Sequence, residues 1–201
     1  MTSSNVDFRI QGIQHIGVAT SDMDQSLRFF RQLFGMDIPF FDSVQAAPLM
    51  DSHTRGETIT KRASMVMNLQ GGCAFEVLRA DSFEPVAADW EIAPGDLGIT
   101  TVQMKTRDIH KMHSHARNVA GTHCDEALVE TPWGEPTFYL RDPDGNRFQV
   151  LEADDWFENS GHPSGGVLGC TIGVSDLDSA MKLYAEVLGF DQVLHDDPRK
   201  I

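Results

Sequence analysis

The stretch of sequence that decides the fold is T-F-Y-L-R-D-P-D-G-N-R-F-Q-V-L-E, residues 137–152. Two runs of alternating apolar and polar residues flank the turn D-P-D-G-N. Pro143 presets its own φ, an aspartate supplies an acceptor that caps the turn, and Gly145 takes a positive φ without a steric clash. The pattern therefore predicts a well-specified β-hairpin. Gln149 lies between two apolar residues, so its side chain points to the opposite face of the strand.

The composition indicates an ordinary globular protein. The chain has 201 residues, 41% of them apolar, and a mean hydropathy of -0.26, which allows one or two domains with a sizeable core. Its formal charge of -14 repels phosphate backbones and anionic lipid surfaces, so we expect neither a nucleic-acid partner nor a membrane partner.

The amino-terminal residues resemble no targeting signal, and no run approaches the about 20 apolar residues of a bilayer span, so we expect a cytoplasmic protein. The three cysteines, Cys73, Cys124 and Cys170, are widely spaced in apolar, strand-like runs. We expect them to be reduced thiols rather than disulfides or metal ligands.

A strand followed by a capped amphipathic helix opens three times along the chain. The strands are predicted at 12–20, 98–106 and 167–174, and each precedes a serine or aspartate that can cap a helix. The apolar stripes of the three helices are Met23, Leu27, Phe30 and Phe34; Ile109, Met112, Ala116 and Val119; and Leu177, Met181, Tyr184 and Leu188. Aligning the caps puts His15, Thr101 and Gly169 in equivalent positions.

Further strands are predicted at 37–44, 63–69, 73–79 and 126–131, with a functional loop expected at 45–61 and a connector at 80–96. Glu76 lies between two apolar residues in the third of these strands.

The run D-P-D-G-N-R-F-Q-V-L-E, together with the repeated strand-helix opening, resembles the vicinal oxygen chelate superfamily. That superfamily includes glyoxalase I, extradiol dioxygenases, methylmalonyl-CoA epimerase and the fosfomycin and bleomycin resistance proteins. The resemblance implies an α+β fold in which paired βαβββ modules form a curved mixed sheet around a cleft.

On this interpretation, residues 8–155 form a two-module glyoxalase-like domain, 156–164 a linker, and 165–201 an incomplete third module that begins a second domain. An uncovered sheet edge and helix stripe are both unfavourable. Two alternatives follow: further carboxyl-terminal modules complete the protein, or the exposed edge pairs with a second copy in a homodimer.

The resemblance also implies where metal ligands stand. The family takes them from the first and last strand of each module, which here gives His15, Glu76, Thr101 and Gln149. Thr101 replaces a strong ligand, and the amide of Gln149, where the family usually has a glutamate, takes up no proton near neutral pH. His15, Glu76 and Gln149 therefore remain as candidate ligands of a divalent cation such as Zn, Fe, Mn or Ni. The alternative is a hydrogen-bonded histidine-carboxylate pair without metal.

Polar residues continue along the same strand faces. Gln103 and Lys105 follow Thr101, and Arg147 precedes Gln149 on the other strand. The predicted cleft is polar and carries two positive charges, which suits a small carboxylate, enolate or phosphate-bearing ligand.

Two functions are consistent with these residues. The chain either binds a small oxygenated metabolite in a cleft whose metal site is degenerate, or is an active metal-dependent lyase, isomerase or dioxygenase of the same superfamily. No catalytic residue is assigned. His110, His113 and His115 interrupt a helix whose other face carries the core stripe, so we expect them on the surface.

Overall fold

The computed structural model describes residues 10, 12–84, 86, 89–93 and 95–197. The start of the predicted domain 8–155 and the last residues of the predicted third module 165–201 therefore lie outside the described residues. The strands are β1 (His15–Ala19), β2 (Ile38–Ala46), β3 (Thr60–Met67), β4 (Ala74–Ala80), β5 (Gly98–Thr106), β6 (His123–Cys124), β7 (Val129–Glu130), β8 (Pro136–Arg141), β9 (Arg147–Glu152) and β10 (Ser164–Gly173). The helices are α1 (Met23–Phe34), α2 (Ile109–Asn118) and α3 (Leu177–Met181), with a 3₁₀ helix at Pro48–His53 and a π-helical segment at Lys182–Val187.

An aspartate caps the amino terminus of each α-helix. The side chains of Asp22, Asp108 and Asp176 each accept a hydrogen bond from the backbone N–H three residues later. Each bond satisfies one of the amides that a helix start leaves without an intrahelical partner. Gly35, with φ of 64°, ends α1 in the left-handed conformation. No helix in the described part of the chain is long and apolar enough to cross a membrane.

The strands form two mixed sheets that repeat one topology. The first has the order β1-β4-β3-β2, and the second β10-β5-β9-β8-β6, with β7 paired to β8. In each module the first strand runs parallel to the last, as β1 does to β4 and β5 to β9, while the hairpin strands are antiparallel. The predicted α+β fold of paired modules is confirmed.

Strand β10 lies beside β5 and also reaches the first sheet. It pairs antiparallel with β5, and Val167 forms a bridge with Cys73, just before β4. Gly169 pairs with Gln103, and a Cβ at this glycine would lie 2.8 Å from the Gln103 Oε1 atom. The third strand-helix opening is therefore built directly into the second sheet.

Four fully buried phenylalanines join the two modules. Phe30 and Phe34 of α1 contact Phe75 of the first sheet, with ring centroids 4.9 and 6.0 Å apart. The same two rings contact Phe148 of the second sheet at 5.9 and 5.2 Å. One aromatic cluster therefore covers both sheets.

The structure differs from the sequence prediction in two segments, and it leaves the apolar stripe of the third helix uncovered, as an incomplete third module implies. Only Val129–Glu130 of the predicted strand 126–131 pairs with β8, and the predicted loop 45–61 contains the 3₁₀ helix. The stripe of the third helix is not buried: Leu177 and Met181 are 66% and 43% exposed. The described part of the chain has no strands after α3 to form a sheet beneath this stripe.

Residues 153–163, here called the strap, connect β9 to β10 and are held by the β3–β4 turn. Gln70 is fully buried, and its side chain donates to the His162 carbonyl at 2.8 Å and accepts from the Ser160 N–H at 3.0 Å. Its backbone carbonyl accepts from the Phe157 N–H at 3.0 Å. The predicted linker 156–164 is thus a bound segment that spans both modules.

We expect Gln70→Ala to lower the free energy of unfolding by about 2 to 4 kcal/mol, because it leaves several buried partners without a hydrogen bond. Urea denaturation followed by circular dichroism measures this loss. Gln45→Ala, at an exposed position of β2, is the control and should change stability by less than about 0.5 kcal/mol. Equal effects of the two substitutions would contradict the assigned role of Gln70.

Candidate ligand-binding site

The five predicted ligand-binding residues share one face of the second sheet. Thr101, Gln103 and Lys105 alternate along β5 with residues that are buried in the core, as Arg147 and Gln149 do along β9. Gln103 and Gln149 are neighbours across the two parallel strands, and the Gln103 Nε2 atom donates to Gln149 Oε1 at 3.2 Å. As predicted, the Gln149 side chain lies on the face opposite to its core neighbours Phe148 and Val150.

Two adjoining depressions on this face, here called the trough, have volumes of about 640 and 270 Å³. Tyr139 and Arg147 line both of them. Thr101 and Thr171, which pair across β5 and β10, line the smaller one. The trough therefore offers hydroxyl groups on one side and a guanidinium near its middle.

The Arg147 side chain stacks on an aromatic ring. Its guanidinium carbon lies 4.7 Å from the centroid of the Tyr139 ring, a cation–π geometry. Among the residues that the structure describes, no carboxylate lies within 4 Å of the Arg147 guanidinium, whereas Arg141 forms an ion pair with Glu91. Arg147 is therefore a positioned cation whose charge is not neutralised by an acidic side chain of the described chain.

Thr101 and Gln149 are only 6% and 4% exposed, and Thr101 lines the trough, whereas Gln149 and Gln103 line neither depression. Lys105 is buried under the strap instead of facing the trough. Its Nζ atom donates to the Asp155 carbonyl, lies 3.3 Å from the Asp155 carboxylate and is 4.9 Å from the centroid of the Trp156 ring. Lys105 therefore binds the strap in this structure.

The two candidate ligands of the first module form a pair in the other sheet. The His15 Nε2 atom lies 3.4 Å from Glu76 Oε2, and both side chains are partly exposed. β1 is an edge strand of the first sheet, whereas Gln149 lies in the second. The described residues contain no group of three or more His, Cys, Asp or Glu side chains placed to hold a metal ion. A histidine and one carboxylate do not make up the three or four donors that a transition metal takes from a protein, so the residues present do not fit a metal centre.

Two further side chains of the trough have shifted pKa values. Burial raises the pKa of the Cys124 thiol to about 11, so this group stays protonated near neutral pH and is a weak nucleophile. Burial also raises the pKa of Asp142 to about 6, although three N–H groups of Asp144 and Asn146 donate to its carboxylate. Asp142 is 1% exposed, which explains why desolvation outweighs these bonds.

The sequence prediction missed Tyr139, Arg141 and Thr171 as residues of this face. The hairpin register pairs Tyr139 with Gln149 and Arg141 with Arg147, so the alternation in residues 137–152 contained the signal for the first two. The position of Thr171 on this face depends on the pairing of β10 with β5, which no local pattern predicts.

A comparison with models of protein families identifies one family. Residues 12–150 match the sequence profile of the Glyoxalase/Bleomycin resistance protein/Dioxygenase superfamily. Among curated proteins, none matches this sequence significantly.

Similar solved structures include a glyoxalase family protein from Bacillus cereus, with 17% identity and a TM-score of 0.57 over 74% of this chain and 98% of that one. Glyoxalase I from Zea mays is 16% identical, with a TM-score of 0.59 over 90% of this chain and 55% of the maize chain. A glyoxalase family protein from Enterococcus faecalis is 16% identical, with a TM-score of 0.52 over 70% of this chain and 96% of that one. At these identities the likeness concerns the fold.

The raised pKa of Asp142 predicts a pH-dependent contribution to stability. The unfolded chain ionises this carboxyl near pH 4 and the folded chain near pH 6, so the contribution is fully present below pH 4 and is lost as the pH rises through 6. Between pH 4 and 7, wild type should lose about 2 to 3 kcal/mol relative to Asp142→Asn, which carries no charge.

Urea denaturation at several pH values measures this difference, and any constant effect of the new amide cancels from its pH dependence. Asp191→Asn, at an exposed position, is the control. A wild type that gains stability relative to Asp142→Asn with rising pH would show that the three donated N–H groups dominate instead.

Proposed function

As the chain belongs to the Glyoxalase/Bleomycin resistance protein/Dioxygenase superfamily, we propose that its trough binds a small oxygenated metabolite that carries a carboxylate or phosphate group. Arg147 is the anchoring cation, Thr101 and Thr171 are neutral partners that line the trough with it, and the buried Gln149 amide lies two residues farther along β9. The metal site of the fold is degenerate in this proposal, and recognition takes place without a cation cofactor.

The proposal rests on the position of the Arg147 guanidinium and on its lack of an ion-pair partner among the described residues. This guanidinium is held over the Tyr139 ring, lines both depressions and has no carboxylate within 4 Å in the described part of the chain. A preorganised guanidinium binds carboxylate or phosphate through two parallel N–H donors, and such charged bonds are stronger than neutral ones.

The neutral groups favour binding over proton transfer. Gln149 shares a hydrogen bond with Gln103, and an amide neither gives nor takes a proton near neutral pH. The half-buried Cys124 thiol is a poor nucleophile for the same site, because its pKa is raised to about 11. These two groups therefore suit holding a ligand more than converting it.

A second candidate function is a metal-dependent lyase, isomerase or dioxygenase that uses His15 and Glu76. The 3.4 Å approach of the His15 Nε2 atom to the Glu76 carboxylate favours it, because these are the two strong donors of the predicted ligand set. A divalent metal would then need Gln149 or ligands from outside this chain.

We also propose that the exposed apolar stripe of the third helix packs against further protein. Leu177 and Met181 of the stripe of the third helix are 66% and 43% exposed. Either a second copy in a cytoplasmic homodimer or additional carboxyl-terminal modules would bury this apolar stripe.

Anion binding can be tested by isothermal titration with two small probes, oxalate and inorganic phosphate. We expect at least one to bind wild type, and Arg147→Gln to weaken that binding by tenfold or more, since a charged hydrogen bond contributes about 1.5 to 3 kcal/mol.

Arg28→Gln is the matched control, because Arg28 is an exposed arginine on α1 outside the trough. It should leave the dissociation constant within about twofold of wild type. The proposal is wrong if both arginine substitutions weaken binding equally, or if neither probe binds wild type at millimolar concentration.

Metal analysis separates the two candidate functions. We expect purified wild-type protein, after incubation with Zn²⁺, Fe²⁺, Mn²⁺ or Ni²⁺ and desalting, to retain about 0.1 equivalent or less, because the described donors are too few. Stoichiometric metal in wild type that is lost in His15→Ala would instead support the metal-dependent enzyme.

A further inference from the structure

We propose that His115 and His162 form a proton-sensitive clasp that holds the strap to the first module and opens at mildly acidic pH. The clasp joins three parts of the fold. His115 belongs to α2 and His162 to the strap, and both rings meet the carbonyl of Gln32 near the end of α1. Local sequence gave no sign of it, because His115 was predicted to lie free on the surface.

Both rings bind one acceptor. The His115 Nε2 atom lies 2.9 Å from the Gln32 carbonyl oxygen and the His162 Nε2 atom 3.4 Å from it. A carbonyl only accepts, so each ring donates from a protonated Nε2. The two rings are in edge contact, with centroids 5.3 Å apart and an interplanar angle of 86°.

The other nitrogen of His162 fixes the ring in its neutral form. Its Nδ1 atom lies 3.1 Å from the backbone nitrogen of Ser164, which donates to it. The Ser164 carbonyl is farther from Nδ1, at 3.4 Å, and already accepts from Asn68 and Gln70. A proton on Nδ1 would therefore face the Ser164 N–H and lose that bond.

The surroundings of His162 oppose a positive charge. The ring packs against the end of α1 so closely that a Cβ on Gly35 would lie 2.8 Å from its Cγ atom. Burial is the largest influence on the ring and lowers its pKa, and His115 acts in the same direction. The Gln32 and Ser164 carbonyls and the Asp37 carboxylate favour the charged form but do not outweigh burial.

The direction of the pH effect follows from this imbalance. With the strap released, His162 titrates near the ordinary histidine pKa of about 6.5, whereas in the closed clasp its pKa is lower. Closure is therefore fully favoured above pH 6.5 and is weakened as the pH falls through the lowered pKa of the closed form.

Opening of the clasp changes the face that carries the trough. The strap covers Lys105 with Asp155 and Trp156, and Lys105 lies on the same strand face as Gln103. Release of the strap uncovers a second cation on this face, because Lys105 pairs with Leu151, four residues from Arg147 along β9. This consequence for ligand binding rests on the proposed function, whereas the clasp itself does not.

Hydrogen exchange measured by mass spectrometry on the unliganded chain at pH 7.5 and 5.5 tests the clasp. After correction for the intrinsic pH dependence of exchange, protection of residues 153–164 should fall at the lower pH by up to about tenfold, the limit for one group with an open-form pKa of about 6.5 at a pH one unit lower. Protection of the hairpin 136–152 should change by less than about threefold, which separates strap release from global unfolding.

Three substitutions assign the effect. His162→Gln retains an amide donor for the Gln32 carbonyl but does not titrate, so the pH effect should disappear. His115→Gln removes the neighbouring ring that disfavours charge, so the effect should shrink to an intermediate value. His110→Gln, at an exposed position of the same helix, should behave as wild type.

The clasp is refuted if wild type shows no pH effect in 153–164, if the hairpin loses protection equally, or if His162→Gln keeps the full effect. Should His162→Gln fail to fold, His115→Gln decides, and an unchanged pH effect in that variant refutes the clasp. Because no ligand is present, failure here leaves the anion titration unaffected, and failure of the titration leaves the clasp unaffected.

Discussion

The packing of Phe30 and Phe34 against both Phe75 and Phe148 is the contact on which the other features depend. Each ring is fully buried, and edge-on and tilted aromatic contacts add to the hydrophobic gain from burial. Because α1 contributes two rings to one cluster, the first sheet cannot rotate against the second without opening the core. The apolar core on one side of the sheets therefore fixes the positions of the polar residues on their other side, although no core residue takes part in the proposed ligand binding.

Much of the fold was accessible from local sequence, because the relevant physics is local. Helix starts follow from aspartates that satisfy free amides, and the end of α1 from a glycine with positive φ. The hairpin of residues 137–152 follows from alternation and turn chemistry. The strand predicted at 126–131 was mostly wrong, since apolar residues there do not alternate over a paired length, and pairing with β8 covers only Val129–Glu130.

The candidate site was predictable only in part, because pairing between distant segments decides which polar residues remain available. Alternation placed Lys105 on the polar face correctly, but no local pattern shows that Asp155 and Trp156 return to cover it. The same limit applies to His115, whose neighbour His162 is far away in sequence. Gln70 falls in the gap between the strands predicted at 63–69 and 73–79, yet its buried amide holds the strap.

The overall charge of -14 constrains how the trough can select an anion. At physiological ionic strength charges beyond about 8 Å are largely screened, so the net charge slows approach more than it weakens a bound contact. Two arginines in the described part of the chain line the larger depression, Arg141 and Arg147. Arg141 forms an ion pair with Glu91, which leaves Arg147 as the arginine available to an anion. Selectivity must then arise from groups within hydrogen-bonding distance, namely the guanidinium oriented by Tyr139, the hydroxyl groups of Thr101 and Thr171, and the carboxyl groups that line the larger depression. Such an arrangement distinguishes ligands by the shape and spacing of their oxygen atoms rather than by their total charge.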